Sequence, residues 1–396
     1  MTPQAIWAIG FGQLVNWGVL FFAFSVLLVP LQDAFGSPRW VVAGAFSLGL
    51  LISAIAAPAV GRLADRGQGP AVMQAGGLLA AGLLLAWVLV PTLAMTYVVW
   101  ALLGLCMASI LYEPVFAIVG RAFVDPEGRL RAIATVTVLG GLASTVFLPG
   151  TSALVTHYGW RATVVALAIV MAVTSVIVGK IAFRDLAWSA QTIRDAIAGS
   201  IGGPGNSAPL DGVTRLAIVF ALSIVVNSAV TSNLVAALID RSLAPTLAAT
   251  VGGALGIMQL PGRILLLNAR TAPDPVQLLV GSFGLQIVGL LALALHGTSA
   301  MWVGVCAFSA GAGLTTLARP YLVLDQYGPE RAGHANGVIA RGQQVARAAG
   351  PVAAAAIGAA HGYGVVFIGL SATLVLAMLL TLKRKTADRD TRISSL

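Results

Sequence analysis

Glu113 and Arg319 are the residues of this chain best suited to do chemistry. Each is an ionisable side chain inside a long apolar stretch, each is followed by proline, and the two carry opposite charge, in Leu111-Tyr112-Glu113-Pro114 and Leu317-Ala318-Arg319-Pro320. A charge in hydrocarbon costs about 2.5–3.5 kcal/mol or more on insertion scales, so it is kept with a partner or for a task. A carboxyl there can take up and release a proton, and a guanidinium can bind an anion. Each proline lacks an N–H and opens the preceding helical turn, leaving a carbonyl to bind something else. Of the 14 acidic residues, only Glu113 lies well inside an apolar stretch, whereas Arg263, Arg319, Arg341 and Arg347 all do. Gln343 and Gln344 precede Arg347 by one helical turn and share its face, which is poorly suited to lipid. This interior surplus of positive charge favours an anionic cargo. The competing reading is a static Glu113–Arg319 salt bridge that closes a cavity on its cytoplasmic side.

The elements that must position these residues are membrane spans. The 396-residue chain is 58% hydrophobic and 9% charged, with mean hydropathy +0.92, against about 25% charged residues in a soluble protein. A crossing needs about 20 apolar residues. Twelve such stretches are expected, at 5–31, 40–61, 71–90, 95–119, 132–156, 161–182, 214–238, 246–268, 276–295, 300–323, 334–359 and 364–382. Their long apolar runs, without strand-like alternation, predict helices and not a β-barrel. With the N-terminus inside, the inner connections hold nearly all the loop Lys and Arg, and the outer ones only Arg39, Arg161 and Arg241. Both termini are therefore expected in the cytoplasm, and the +9 charge is topogenic bias, not a nucleic-acid footprint. The first span is too long for a signal-peptide core and is expected to stay in the protein. A basic, Lys-poor composition points to a bacterial inner membrane. Cys106 and Cys306 fall within spans and are expected as reduced thiols. No cluster of Cys, His, Asp and Glu offers a metal site, and no nucleophile–base pair suggests an enzyme.

Polar groups at helical spacing line two further spans. Gln13, Asn16 and Trp17 share a face of the first, and Ser223, Asn227 and Thr231 step along the seventh. Their amides and hydroxyls either orient a cargo or bond helix to helix; for Asn16 and Asn227 binding is the preferred reading. Gly104, Gly311, Gly313 and Gly350 are expected to let helices approach closely.

The chain repeats itself at about half its length. Pro58-Ala59-Val60-Gly61-Arg62-Leu63 resembles Leu260-Pro261-Gly262-Arg263-Ile264, and Pro149 and Pro351 lie at comparable depths in their spans. The domains read as 1–183, a linker at 184–213 rich in Gly, Ser and Pro over Gly199–Pro209, and 214–396.

Gly61-Arg62-Leu63-Ala64-Asp65-Arg66-Gly67 resembles the loop signature of the major facilitator superfamily. The resemblance covers the whole chain and implies an all-α fold of twelve helices in two six-helix bundles around a central cavity, working by alternating access. It implies that spans 1, 4, 7 and 10 line that cavity. Gly61, Asp65, Arg66 and Arg121 would form a conformational latch: Gly61 permits close helix approach, and Asp65 caps a helix or pairs with Arg121. A solvated turn that only sets topology is the plainer alternative. The chain lacks the intramembrane arginine of drug–proton antiporters in span 4 and their glycine-spaced motif in span 5. Phe35-Gly36-Ser37-Pro38-Arg39 and Ala43-Gly44-Ala45-Phe46-Ser47 look more like the monocarboxylate and oxalate–formate porters. Gln259 and Arg263 are similar to an Asp-and-Arg pair of that group, with Gln where Asp is expected.

The expected function is secondary transport of a small organic anion coupled to protons, with no cofactor beyond a proton gradient. Glu113 would carry the proton, and Arg319, Arg347, Asn16, Asn227, Gln13, Gln343 and Gln259 would bind substrate. The expected partners are that small molecule and the lipid bilayer, with the protein acting as a monomer. A drug or metabolite exporter is the alternative, and a non-transporting sensor a more distant one.

Overall fold

The computed structural model describes residues 2–63, 68–122, 126–183, 212–261 and 274–393, and all the elements described are helical. Thr2 caps α1 (Pro3–Trp17), accepting from the Ala5 N–H, with Pro3 in the first turn where its missing N–H costs nothing. A π-helical turn at Gly18–Phe22 carries the chain into α2 (Ala23–Phe35), which ends on Gly36 in the left-handed conformation. The π turn passes against the helix that carries Phe147: a Cβ on Gly18 would fall 2.1 Å from the Phe147 ring. Next come α3 (Arg39–Leu63), α4 (Gly69–Val88), α5 (Leu93–Ile110), α6 (Tyr112–Ala122), α7 (Pro126–Gly141) and α8 (Ala143–Val178). The later helices are α9 (Val213–Ile239), α10 (Pro245–Ile257), α11 (Pro275–Ala294), α12 (Thr298–His361) and α13 (Tyr363–Ile393).

Eight of the described helices are long and apolar enough to cross a membrane. One of these stretches, Thr135–Ala182, has 48 residues and would be about 70 Å long if straight, over twice the hydrocarbon thickness. It breaks at Gly159 (φ 76°, ψ 168°), so it accommodates the fifth and sixth expected spans. In α12 a hydrogen bond joins Arg319 to Gln343, 24 residues later. On a straight helix those residues would stand about 36 Å apart, so the chain folds back between them, as the tenth and eleventh spans require. The twelve-span expectation is met in part. The eighth span is described only to Pro261, and α10 is 13 residues long, too short to cross by itself.

Two compact units emerge. The first comprises Met1–Gly203 with Leu234–Gly253, and the second Pro204–Asn233 with Ala254–Leu396. The linker expected at 184–213 lies, up to residue 211, outside the described residues. Unit 1 is built around an aromatic cluster in which Phe24 stacks on Phe46 at 4.7 Å and the Trp100 ring meets Phe24, Phe46 and Trp87 edge-on. A second core joins Ala5, Ile9, Met73, Val115, Val119, Val136 and Val178 from several helices. Large apolar residues such as Leu79, Val98 and Ile169 remain exposed, as side chains facing lipid do.

Small residues set the helix spacing, as expected. A Cβ on Gly104 would lie 2.3 Å from the Gly49 carbonyl oxygen, and one on Gly350 would meet Val225 O at 2.7 Å. At Gly61 nothing among the described residues stands within 4 Å of the would-be Cβ, and the loop at 64–67 that follows it lies outside those residues. Cys106 and Cys306 are both free thiols, the first buried.

Candidate functional site

The fourth span is broken beside Glu113. Helix α5 ends at Ile110, Leu111 is extended (φ −79°, ψ −163°), and α6 starts at Tyr112. In a continuous helix the N–H of residue 114 would bond the Ile110 carbonyl, but Pro114 has none to give. That carbonyl instead accepts from Gln13 Nε2 at 2.6 Å and Asn16 Nδ2 at 3.1 Å. Gln13 and Asn16 are three apart on α1 and so share one face, and both are buried, at 0% and 8% exposure. The two amides read as substrate ligands thus serve as the substitute donors for a proline-broken helix. The proline effect predicted from sequence is present, and its acceptor is already engaged.

Trp17, one turn further along, packs on Tyr112 with ring centroids 5.0 Å apart, and Tyr112 stacks on Phe116 at 5.2 Å. The backbone of Glu113 therefore sits in the first turn of α6, next to the break and beside this aromatic group. Its side chain lies outside the described residues.

In unit 2, Arg319 Nη1 donates to Gln343 Oε1, while Gln343 Nε2 donates to the Phe220 carbonyl at 3.3 Å. One amide therefore ties together the seventh, tenth and eleventh spans. Gln343 is neutral, so it directs the guanidinium without cancelling its charge. Arg347, one turn along from Gln343, is half-buried and makes contacts of its own. Unlike Pro114, Pro320 lies within a stretch that stays helical on both sides of it.

On the seventh span the Thr231 hydroxyl donates to the Asn227 carbonyl at 2.8 Å, and the Asn227 side chain is half-buried. Gln259 is half-buried, and its backbone packs where a Cβ on Gly313 would clash at 2.6 Å. Of the expected latch, Asp65 and Arg66 lie outside the described residues, as does the side chain of Arg121. Arg263, Arg341 and Gln344 likewise fall outside them, in whole or in side chain.

Two polar groups were not singled out from sequence. Asn233 is 2% exposed, donates to Ala229 O, Ser232 Oγ and Pro351 O, and accepts from the Tyr363 hydroxyl at 3.2 Å. An isolated asparagine deep in an apolar span is the signal that marks it. In unit 1, Arg39 makes a two-pronged salt bridge to Asp240, at 2.7 and 3.0 Å, and its Nε donates to Gln32 Oε1 at 3.0 Å. Among the described residues no group of three or more His, Cys, Asp and Glu gathers as a metal site.

Comparison with known proteins agrees with this architecture. The family model described as the Major Facilitator Superfamily matches residues 6–268. Monocarboxylate transporter 13 of Bos taurus is 31% identical over 155 residues, which is 39% of this chain and 34% of that protein. The match thus spans about a third of that relative's length. Among solved structures, a bacterial homolog of the human lysosomal transporter Spinster, in an inward-facing and occupied conformation, superposes with a TM-score of 0.72 at 12% identity, covering 98% of each chain. The human organic anion transporter MFSD10 (TETRAN) gives 0.67 at 16% identity, over 96% of this chain and 100% of that one. A D-xylose-proton symporter gives 0.71 at 13%, over 95% and 96%. At these identities the structures speak to fold alone.

Proposed function

The chain belongs to the Major Facilitator Superfamily, and from its place among these multi-pass membrane transporters we propose that it moves a small organic anion of monocarboxylate type together with protons. The observation that carries this reading is Arg319, an intramembrane guanidinium hydrogen-bonded to the Gln343 amide, whose positive charge and fork of donors suit a carboxylate. The partial likeness to a monocarboxylate transporter supports the same substrate class.

In this account the carboxylate binds Arg319, with Arg347 and Asn227 completing the site, and Glu113 carries the proton. Arrival of a negative charge changes the field at Glu113 and hence its hold on the proton. The break at Ile110–Leu111 places the Glu113 turn at a joint in the fourth span, where a small change in helix direction accompanies proton uptake. In this account both termini lie on the cytoplasmic face of an inner membrane, an orientation that the distribution of Arg and Lys supports.

The test uses proteoliposomes carrying wild-type protein or Glu113→Gln. The variant should lose accumulation driven by a pH gradient while still exchanging labelled carboxylate across the membrane. Undiminished pH-driven accumulation in Glu113→Gln would remove Glu113 from the coupling role.

A further inference from the structure

We infer that unit 1 holds a single monovalent cation of sodium size in a small cavity beside the break in the fourth span. The cavity measures about 20 Å³ and is lined by Gln13, Asn16, Gln74, Thr174 and Ser175 together with Ile110 and apolar neighbours. One water-sized occupant needs roughly 10–15 Å³ by this measure, so the space takes one ion or one water and excludes an organic substrate.

The chemistry of the lining selects an electropositive occupant. Gln13 is fully buried, its Nε2 is committed to the Ile110 carbonyl, and its Oε1 has no hydrogen-bond partner among the described residues. A buried amide oxygen without a partner costs about 1–3 kcal/mol, a cost that a cation ligated by it would remove. Asn16 Nδ2 is likewise turned to Ile110. Glycines admit two more oxygens: a Cβ on Gly77 would collide with Ser175 Oγ at 2.2 Å, and one on Gly179 with Gln74 Oε1 at 1.7 Å. Helix α5 also ends here, directing the negative end of its dipole towards the cavity. Amide and hydroxyl oxygens at the end of a half-helix form the kind of donor set that holds a hard cation. Among the described residues no carboxylate lines the cavity, so the lining they form suits a single positive charge, not a double one.

This site is separate from Arg319 and does not depend on the anion reading, so its test needs no substrate. Full-length protein in detergent is melted in sodium, lithium, potassium or choline chloride at equal ionic strength, and binding of ²²Na⁺ is measured alongside. The expected result is a saturable rise in Tm with sodium and none with choline, matched by saturable ²²Na⁺ binding. Ser175→Ala, which leaves the Ile110 cap intact, should weaken that binding about tenfold, the loss expected from one ligand interaction of about 1.4 kcal/mol. Gln13→Glu should tighten it, because the substitution adds a negative charge, while Asn16 still caps Ile110. Gln13→Met should abolish it; if that variant fails to fold, Ser175→Ala and Gln13→Glu decide the matter. Identical Tm in sodium, potassium and choline, or sodium binding unchanged in Ser175→Ala and Gln13→Glu, would overturn the proposal and leave the cavity holding a water only.

Discussion

Asn16 Nδ2 donates to the main-chain carbonyl of Ile110, 94 residues away in sequence and 3.1 Å away in space. The bond fastens the first span to the one carbonyl that Pro114 leaves without its helical partner. It makes the break in the fourth span a supported feature, satisfied in the way that buried backbone groups must be.

The two amide donors at Ile110 should therefore be partly redundant. Gln13→Leu or Asn16→Leu alone leaves the carbonyl one donor, and each should lower stability by about 1 kcal/mol; the double variant should cost more than the sum. Thermal melting of the four proteins closes the cycle. Strict additivity would mean that the two amides do not share the carbonyl.

Pro114→Ala returns an N–H to the helix in competition with those amides. The fourth span should straighten at Leu111, and hydrogen exchange at residues 111–115 should slow. Transport should fall, with protein yield unchanged or improved. Wild-type transport in a straightened helix would show that the break serves packing only.

Gln343 should govern affinity for the anion through Arg319. Gln343→Leu removes a hydrogen bond to a charged group, about 1.5–3 kcal/mol, so KM should rise about tenfold or more with little change in expression. Gln343→Glu should be the more damaging change for uptake, because a carboxylate there neutralises Arg319, yet the protein should melt no lower. Equal KM in wild type and both variants would dissociate Gln343 from binding.

Arg39 and Asp240 form the one ion pair found among the described residues. With Asp240 42% exposed, its worth is about 0.2–1 kcal/mol and falls with salt. Reversing one charge, Arg39→Asp, should lower Tm and transport, and the swapped pair Arg39→Asp with Asp240→Arg should restore both. Failure of the swap to rescue would assign the loss to Arg39 and its bond with Gln32.

Much of the fold was legible because lipid leaves few choices. Long apolar runs in lipid must be helices. Pro114 announced the break at Glu113, and the spacing of Gln13 and Asn16 announced a polar face. What that face bonds to was not legible, since the acceptor is a backbone atom whose availability depends on another helix. The pairing of Arg39 with Asp240, 201 residues apart, likewise depends on how distant segments pack.

The central claim is that the chain carries small organic anions with protons, and uptake into proteoliposomes tests it most directly. Wild-type protein is reconstituted, a pH gradient is imposed, and a panel of labelled monocarboxylates is run beside cationic dyes. Proton-driven accumulation of a carboxylate, lost in Arg319→Gln protein that remains folded, is the predicted result. Accumulation of the dyes alone, or carboxylate uptake that survives loss of Arg319, would contradict the account.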